Sequence, residues 1–108
     1  MITASEVKKE LGDYTRLMNR AKRLSTEVRL FPEDRVLLEP LLKTVGERTA
    51  SISKMINKLR DTEKKEILYR KYIKGETLEQ IGEEMGISSR HVQRLINRAI
   101  ETLVGGRQ

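Results

Sequence analysis

The sequence contains no cysteine and no tryptophan, and its 108 residues include one histidine, one phenylalanine and two prolines. Without cysteine the chain can form neither a disulfide framework nor a thiolate metal site. The single histidine, His91, has no second imidazole with which to share a metal ion. No phosphate loop of the GxxxxGK type is present, and no two carboxylates are spaced for acid–base catalysis. We therefore expect no enzyme, no cofactor and no metal.

Long apolar runs are also missing from the chain. No segment could span a bilayer, and the N-terminus lacks the apolar stretch of a signal peptide. These absences predict a cytoplasmic protein with no membrane partner.

Charge is abundant: charged residues make up 35% of the chain, the net charge is +6 and the pI is about 9.8. A basic protein favours polyanionic partners, although its net charge does not say which. Near the C-terminus the signs separate. Glu76, Glu79, Glu83 and Glu84 precede a stretch that carries Arg90, Arg94 and Arg98.

Two long helices are predicted for the N-terminal half, over residues 4–29 and 40–60. Pro32 disfavours helix at Phe31, a short helical turn is expected over residues 34–38, and Pro40 suits the first turn of the second helix. Ser5 and Thr3 compete as the first N-cap. The first apolar seam is Val7, Leu11, Tyr14, Met18, Ala21 and Val28, in steps of four and three. The second is Leu41, Val45, Ile52, Met55 and Leu59.

Two such helices tend to pack as an antiparallel hairpin. The hairpin core is narrow, so we expect residues 1–60 to form a coiled-coil-like homodimer or to pack on the C-terminal part. Its exposed cations suit a solvated helix face better than a second nucleic-acid surface. They are Arg16, Arg20, Lys22, Arg23 and Arg29.

A further helix is predicted over residues 62–73, with Asp61 or Thr62 as its cap and Gly75 at its end. It would support the segment that follows, because two short helices cannot bury a core by themselves. Tyr69 and Tyr72 therefore suit the core or its rim better than a base-stacking role.

Residues 77–95 (TLEQIGEEMGISSRHVQRL) have the pattern of a helix-turn-helix. Thr77 and Gln80 form a capping box, and Gly86 suits the left-handed backbone of a tight turn. Gly82 lies where two helices would cross closely. Ordinary helical bundles also contain helices joined by a glycine turn, but here the caps, the glycines and the apolar spacing all agree.

The second helix of this motif, predicted over residues 88–103 with Ser88 as its N-cap, is the candidate recognition helix. Its apolar side carries Val92, Leu95, Ile96, Ala99 and Leu103. At about 100° per residue, Arg90, Gln93, Arg94, Asn97 and Glu101 point the other way. Arginine and amide side chains can form paired hydrogen bonds to base edges in the major groove. The candidate DNA-binding residues are Ser88, Ser89, Arg90, His91, Gln93, Arg94, Asn97 and Arg98.

Residues 62–103 resemble region four of bacterial primary-type sigma factors. The resemblance lies in the YxxG turn at residues 72–75, the TLEQIG stretch at residues 77–82 and the Ala99-Ile100 pair. It implies a DNA-binding helix-turn-helix, with RNA polymerase as a further candidate partner. The sigma pattern has Arg-Glu where this chain has Ser89-Arg90, and Arg-Gln where it has Gln93-Arg94. The sigma preference for the promoter −35 element is therefore not carried over.

The whole layout is similar to small phage transcriptional regulators of the ArpU and RinA type. We expect an all-α protein with a helical hairpin over residues 1–60 and a three-helix DNA-binding domain over residues 61–108. The expected function is sequence-specific transcriptional regulation on double-stranded DNA in a bacterial host cell. Two alternatives stay open: a DNA-packaging protein like a terminase small subunit, and a polymerase-binding adaptor that uses the Glu-rich helix.

Overall fold

The computed structural model describes residues 3–105 of the chain, and these residues are helical with no strand. The α-helices are α1 (Ala4–Leu30), α2 (Arg35–Asn57), α3 (Thr62–Leu68), α4 (Leu78–Met85) and α5 (Ser89–Gly105). A 3₁₀ turn at Pro32–Asp34 joins α1 to α2, and a π-helical turn at Tyr69–Ile73 continues α3. The predicted all-α fold, a long hairpin followed by a three-helix unit, is confirmed.

Helix α1 begins after Thr3, whose Oγ1 accepts a hydrogen bond from the Glu6 backbone N–H at 3.2 Å. Thr3 is therefore the cap, and Ser5 is not. The predicted seam was incomplete, because Leu17 and Leu24 are also buried whereas Met18, Ala21 and Val28 are only partly covered. The reason is that α1 has neighbours on two sides, since it packs on α2 and also on α5.

Helix α2 begins at Arg35, five residues earlier than predicted, so Pro40 lies inside the helix. Pro40 cannot donate to the carbonyl of Val36, four residues before it. Val36 is 87% exposed and Pro40 is also exposed, so the missing hydrogen bond lies in a part of the helix that faces solvent and not in the core. The earlier start also changes the buried side: Leu38 faces the core, whereas Leu41, predicted in the seam, is 42% exposed.

The hairpin and the C-terminal helices share one continuous hydrophobic core. Arg48 of α2 pairs with Asp13 of α1 at 3.5 Å, which bridges the two helices. Thr15 Oγ1 donates to the Tyr72 carbonyl oxygen at 3.5 Å, and α1 also packs on α5. The hairpin therefore packs on the C-terminal part, one of the two expected arrangements. The domain boundary at residues 60–61 remains a prediction.

Helix α3 is capped by Asp61, which accepts from the N–H groups of Glu63 and Lys64 at 2.9 and 3.2 Å. The uniform helix predicted over residues 62–73 is wrong in its second half, which is π-helical. The extra residue per turn rotates the side chains. Tyr69 lies at the rim, 45% exposed, whereas burial raises the pKa of Tyr72.

Candidate nucleic-acid interface

The start of helix α4 is held by the predicted capping box. Thr77 Oγ1 accepts from the Gln80 backbone N–H at 3.1 Å, and the Thr77 N–H donates to Gln80 Oε1 at 2.8 Å. Ile81 then turns into the core and is fully buried. The sequence alone therefore located the beginning of the helix-turn-helix.

Two glycines shape the turn between α4 and α5. Gly86 adopts the left-handed conformation, with φ +72° and ψ +34°, a region that L side chains rarely adopt. Gly82 lies where the chain passes back over α4, and its carbonyl accepts the Ile87 N–H at 2.9 Å. A Cβ atom at residue 82 would be 2.5 Å from the Ile87 carbonyl oxygen. Both predicted glycine roles are confirmed.

Helix α5 is capped by Ser88, whose Oγ accepts the His91 backbone N–H at 3.2 Å. The first helical residue is Ser89 and the last is Gly105, so the helix extends slightly beyond the predicted residue 103. One side of α5 is anchored in the core. The buried residues on that side are Val92, Leu95, Ile96, Ala99 and Ile100.

The opposite side of α5 is a solvent-exposed polar face, which we call the outward face. Successive residues of an α-helix are rotated by about 100° around its axis, so the members of this face lie within an arc of roughly 100°. They are Arg90, Gln93, Arg94, Asn97 and Glu101, all exposed. The structure thus brings together four of the predicted DNA-binding residues on one continuous surface. Glu101 lies at its C-terminal end and adds one negative charge there.

The other predicted site residues lie at the edges of the outward face. Ser88 is exposed at the N-terminal end of α5, and Ser89 follows it half-buried. His91 is also half-buried, whereas Arg98 is exposed along the side of the helix. These four residues are placed to flank a ligand of the outward face and not to face its centre.

Two side chains of the outward face are hydrogen-bonded to each other. Gln93 Nε2 donates to Asn97 Oδ1 at 3.1 Å, across one turn of α5. This hydrogen bond restricts the rotamers of both residues, and it leaves the Gln93 carbonyl oxygen and the Asn97 amide hydrogens free. The pair therefore presents an acceptor and donors side by side, which matches an adenine edge in the major groove.

Arg70 is a residue whose role sequence reasoning missed. Its guanidinium Nε donates to Glu66 of α3 at 2.8 Å, and its two terminal nitrogens reach Glu76 at 3.2 Å and Glu84 of α4 at 3.4 Å. The side chain is only 17% exposed. The hydrogen bond that Arg70 donates to Glu66, with the charges of the carboxylates, raises the pKa of Arg70 against the opposing effect of burial.

The network around Arg70 ties α4 to α3, and so sets the position of the turn that leads into α5. No short sequence motif predicts this network, because Glu84 is fourteen residues from Arg70. The available signal was the unusual run of carboxylates around α4. Two of the four glutamates that precede the arginines in the sequence, Glu76 and Glu84, bind Arg70.

The charges of the two helices of the motif remain opposite in sign. Glu79 and Glu83 of α4 are exposed, as are Arg90, Arg94 and Arg98 of α5. A phosphate backbone is therefore attracted to α5 and repelled by the exposed side of α4. Within residues 3–105 no cluster of three or more metal-ligating side chains occurs. Nor does any helix of that part have the length and apolarity to cross a membrane.

Comparison with known protein families finds a similarity in the C-terminal half of the chain. Residues 55–103 match the family model for region 4 of sigma-70. The match begins near the end of α2, seven residues before the stretch in which we found the resemblance, and it ends within α5. No curated protein and no solved structure matches the chain significantly.

Residues 55–103 are thus similar to sigma region 4, an all-α helix-turn-helix type of domain that binds DNA. The matched segment contains Arg70 with all three of its carboxylate partners and the whole outward face of α5. Most of the hairpin lies outside the match.

Proposed function

We propose that this protein is a sequence-specific DNA-binding transcriptional regulator that inserts α5 into the major groove. The observation that carries the proposal is the outward face of α5, which is polar, exposed and free of competing ion pairs among the described residues. A helix of this kind fits the width of the major groove, about 12 Å. The buried side of α5 holds it rigidly on the rest of the fold.

In this mechanism Arg90, Gln93 and Arg94 bind base edges. Arginine donates a fork of hydrogen bonds that suits guanine O6 and N7, and a primary amide suits adenine N6 and N7. The hydrogen bond between Gln93 and Asn97 orients the amide before DNA arrives. Less rotamer entropy is then lost on binding.

The residues at the edges of α5 contact the phosphate backbone in this proposal. Ser89, His91 and Arg98 lie at these edges. Asn97 flanks Gln93 on the outward face, where its hydrogen bond orients the Gln93 amide. The cap formed by Ser88 uses the His91 N–H, which leaves the N–H groups of Ser89 and Arg90 to bind a phosphate. Such contacts fix the register of the protein without selecting a sequence.

We further propose that the regulator is phage or prophage encoded and acts as a homodimer. The support is its layout, a basic helical hairpin joined to a sigma region 4-like domain, which is similar to the small phage regulators of the ArpU and RinA type. A dimer would place two copies of α5 on a repeated or palindromic site.

RNA polymerase is a second candidate partner, favoured by the exposed Glu79 and Glu83 of α4. Both are exposed on α4, the helix that precedes the proposed DNA-binding helix. A regulator bound to DNA through α5 would leave this acidic side open to a basic surface of the transcription machinery.

The experiment is fluorescence-anisotropy binding to fragments of the genome that encodes the protein, with a salt titration for each fragment. We expect one fragment to bind more tightly than the others and to keep that advantage as salt rises. Equal, weak binding that disappears with salt would leave only the non-specific phosphate interaction and overturn the proposal. Specific binding by rings of many subunits would instead indicate DNA packaging.

A further inference from the structure

The tip of the hairpin carries an unusual concentration of exposed apolar side chains. In the described part of the chain, six large hydrophobic residues are strongly exposed, and five of them fall within residues 30–41. We call these five residues the tip patch: Leu30 (62% exposed), Phe31 (48%), Val36 (87%), Leu37 (70%) and Leu41 (42%). Exposed apolar patches of this kind mark interaction surfaces.

We propose that the tip patch is where a second copy of this chain binds. The apolar seam of the hairpin is not available for this purpose, because α1 and α2 bury it against each other. The first two turns of α2, in contrast, present Val36, Leu37, Pro40 and Leu41 within one arc of the helix. The 3₁₀ turn brings the end of α1, with Leu30 and Phe31, next to this arc.

The charge around the tip patch favours a second copy of the patch as its partner over DNA. Residues 27–43 contain three cations and four carboxylates, a net of −1, whereas the rest of the chain contains nineteen and twelve, a net of +7. Two copies meeting at their tips therefore avoid the repulsion that their basic parts would cause. In a two-fold contact the patch meets its own copy, so a rim that carries both signs can pair its cations with the carboxylates of the second copy.

The area is consistent with a weak but specific dimer. The exposed parts of the five side chains amount to roughly 500 Å² per chain, so a two-fold contact would remove roughly 1,000 Å² from water, the lower end for a specific interface. We therefore expect dissociation in the micromolar range. Because α1 and α2 extend from the helix-turn-helix, the tip contact would leave both copies of α5 free.

The test is sedimentation equilibrium of the full chain at 1–100 µM, an approximate range set by that expectation. The variants are Val36→Glu and Leu37→Glu, whose positions are exposed, with Ala50→Glu as the matched control on an exposed part of α2 away from the tip. We expect a dimer for the wild type and for Ala50→Glu, and at least a ten-fold weaker association for both tip variants. Circular dichroism should show unchanged helix content.

A monomeric wild type at the highest concentration would overturn the proposal, as would tip variants that associate as tightly as the control. For DNA, the consequence rests on the proposed function: tip variants should keep their affinity for a half-site and lose cooperativity on a double site. If the wild type dimerises but binds no DNA sequence specifically, the proposed regulator function is refuted and the tip contact is still supported.

Discussion

The carbonyl oxygen of Ile87 lies directly against the Cα of Gly82, so close that a Cβ atom there would come within 2.5 Å of it. The Ile87 N–H also donates to the Gly82 carbonyl oxygen at 2.9 Å. The obstacle is backbone and not a flexible side chain, so it cannot move aside without shifting the turn. This contact sets how closely α5 follows α4.

Gly82→Ala should therefore destabilise the protein by about 1–3 kcal/mol, the usual cost of overpacking a close contact. Thermal unfolding followed by circular dichroism measures the change. Gly46→Ala is the matched control, because Gly46 is exposed within α2 and a Cβ there meets nothing within 4 Å. The control should gain about 0.5–1 kcal/mol from helix propensity. Equal effects of the two substitutions would contradict the close-contact explanation.

Arg94→Ala and Arg98→Ala should separate base recognition from phosphate contact. Arg94 lies on the outward face, so its loss should cost about 1–3 kcal/mol on the specific site and relax specificity at one base pair. Arg98 lies at the edge, so its loss should weaken all DNA sequences alike and lower the salt slope by about one. Anisotropy titrations on the site and on its single-base variants measure both. Wild-type affinity in Arg94→Ala would remove that residue from the interface.

Glu101→Gln should raise the affinity for all DNA sequences. Glu101 shares the outward face with Arg90 and Arg94, where its negative charge repels the phosphate backbone. Glu47→Gln, an exposed position on the hairpin, changes the net charge equally and serves as the control. The gain should appear at low salt and shrink as salt rises. Equal gains in both variants would mean that net charge, and not position on α5, sets the affinity.

Arg70→Lys should lower the unfolding temperature almost as much as Arg70→Ala. One ammonium group cannot reproduce the separate contacts that the guanidinium makes with Glu66, Glu76 and Glu84. Hydrogen exchange should also become faster in α4, whose link to α3 is lost. Arg60→Ala, an exposed arginine outside this network, should change neither measurement. Full stability in Arg70→Lys would show that charge alone is sufficient.

The C-terminal helices could be predicted closely because their limits depend on local chemistry. The capping box of Thr77 and Gln80, the cap at Asp61 and the left-handed Gly86 each involve residues within one turn of chain. The beginning of α2 was predicted less well. The general rule against proline in a helix interior suggested a later start, whereas Pro40 lies inside α2 in a solvent-exposed part of the helix.

Sequence alone determined the helical class, the caps of α4 and α5, the turn glycines and the outward face of α5, because these depend on spacings of three or four residues along one helix. Tertiary structure decided which apolar residues are buried, since Leu17 and Leu24 are covered by neighbours and Leu41 is not. It also decided that Arg70 binds three carboxylates from different parts of the chain, and that most of the exposed large apolar side chains lie at the hairpin tip. These features join residues distant in the chain, and no local periodicity specifies which of them will meet.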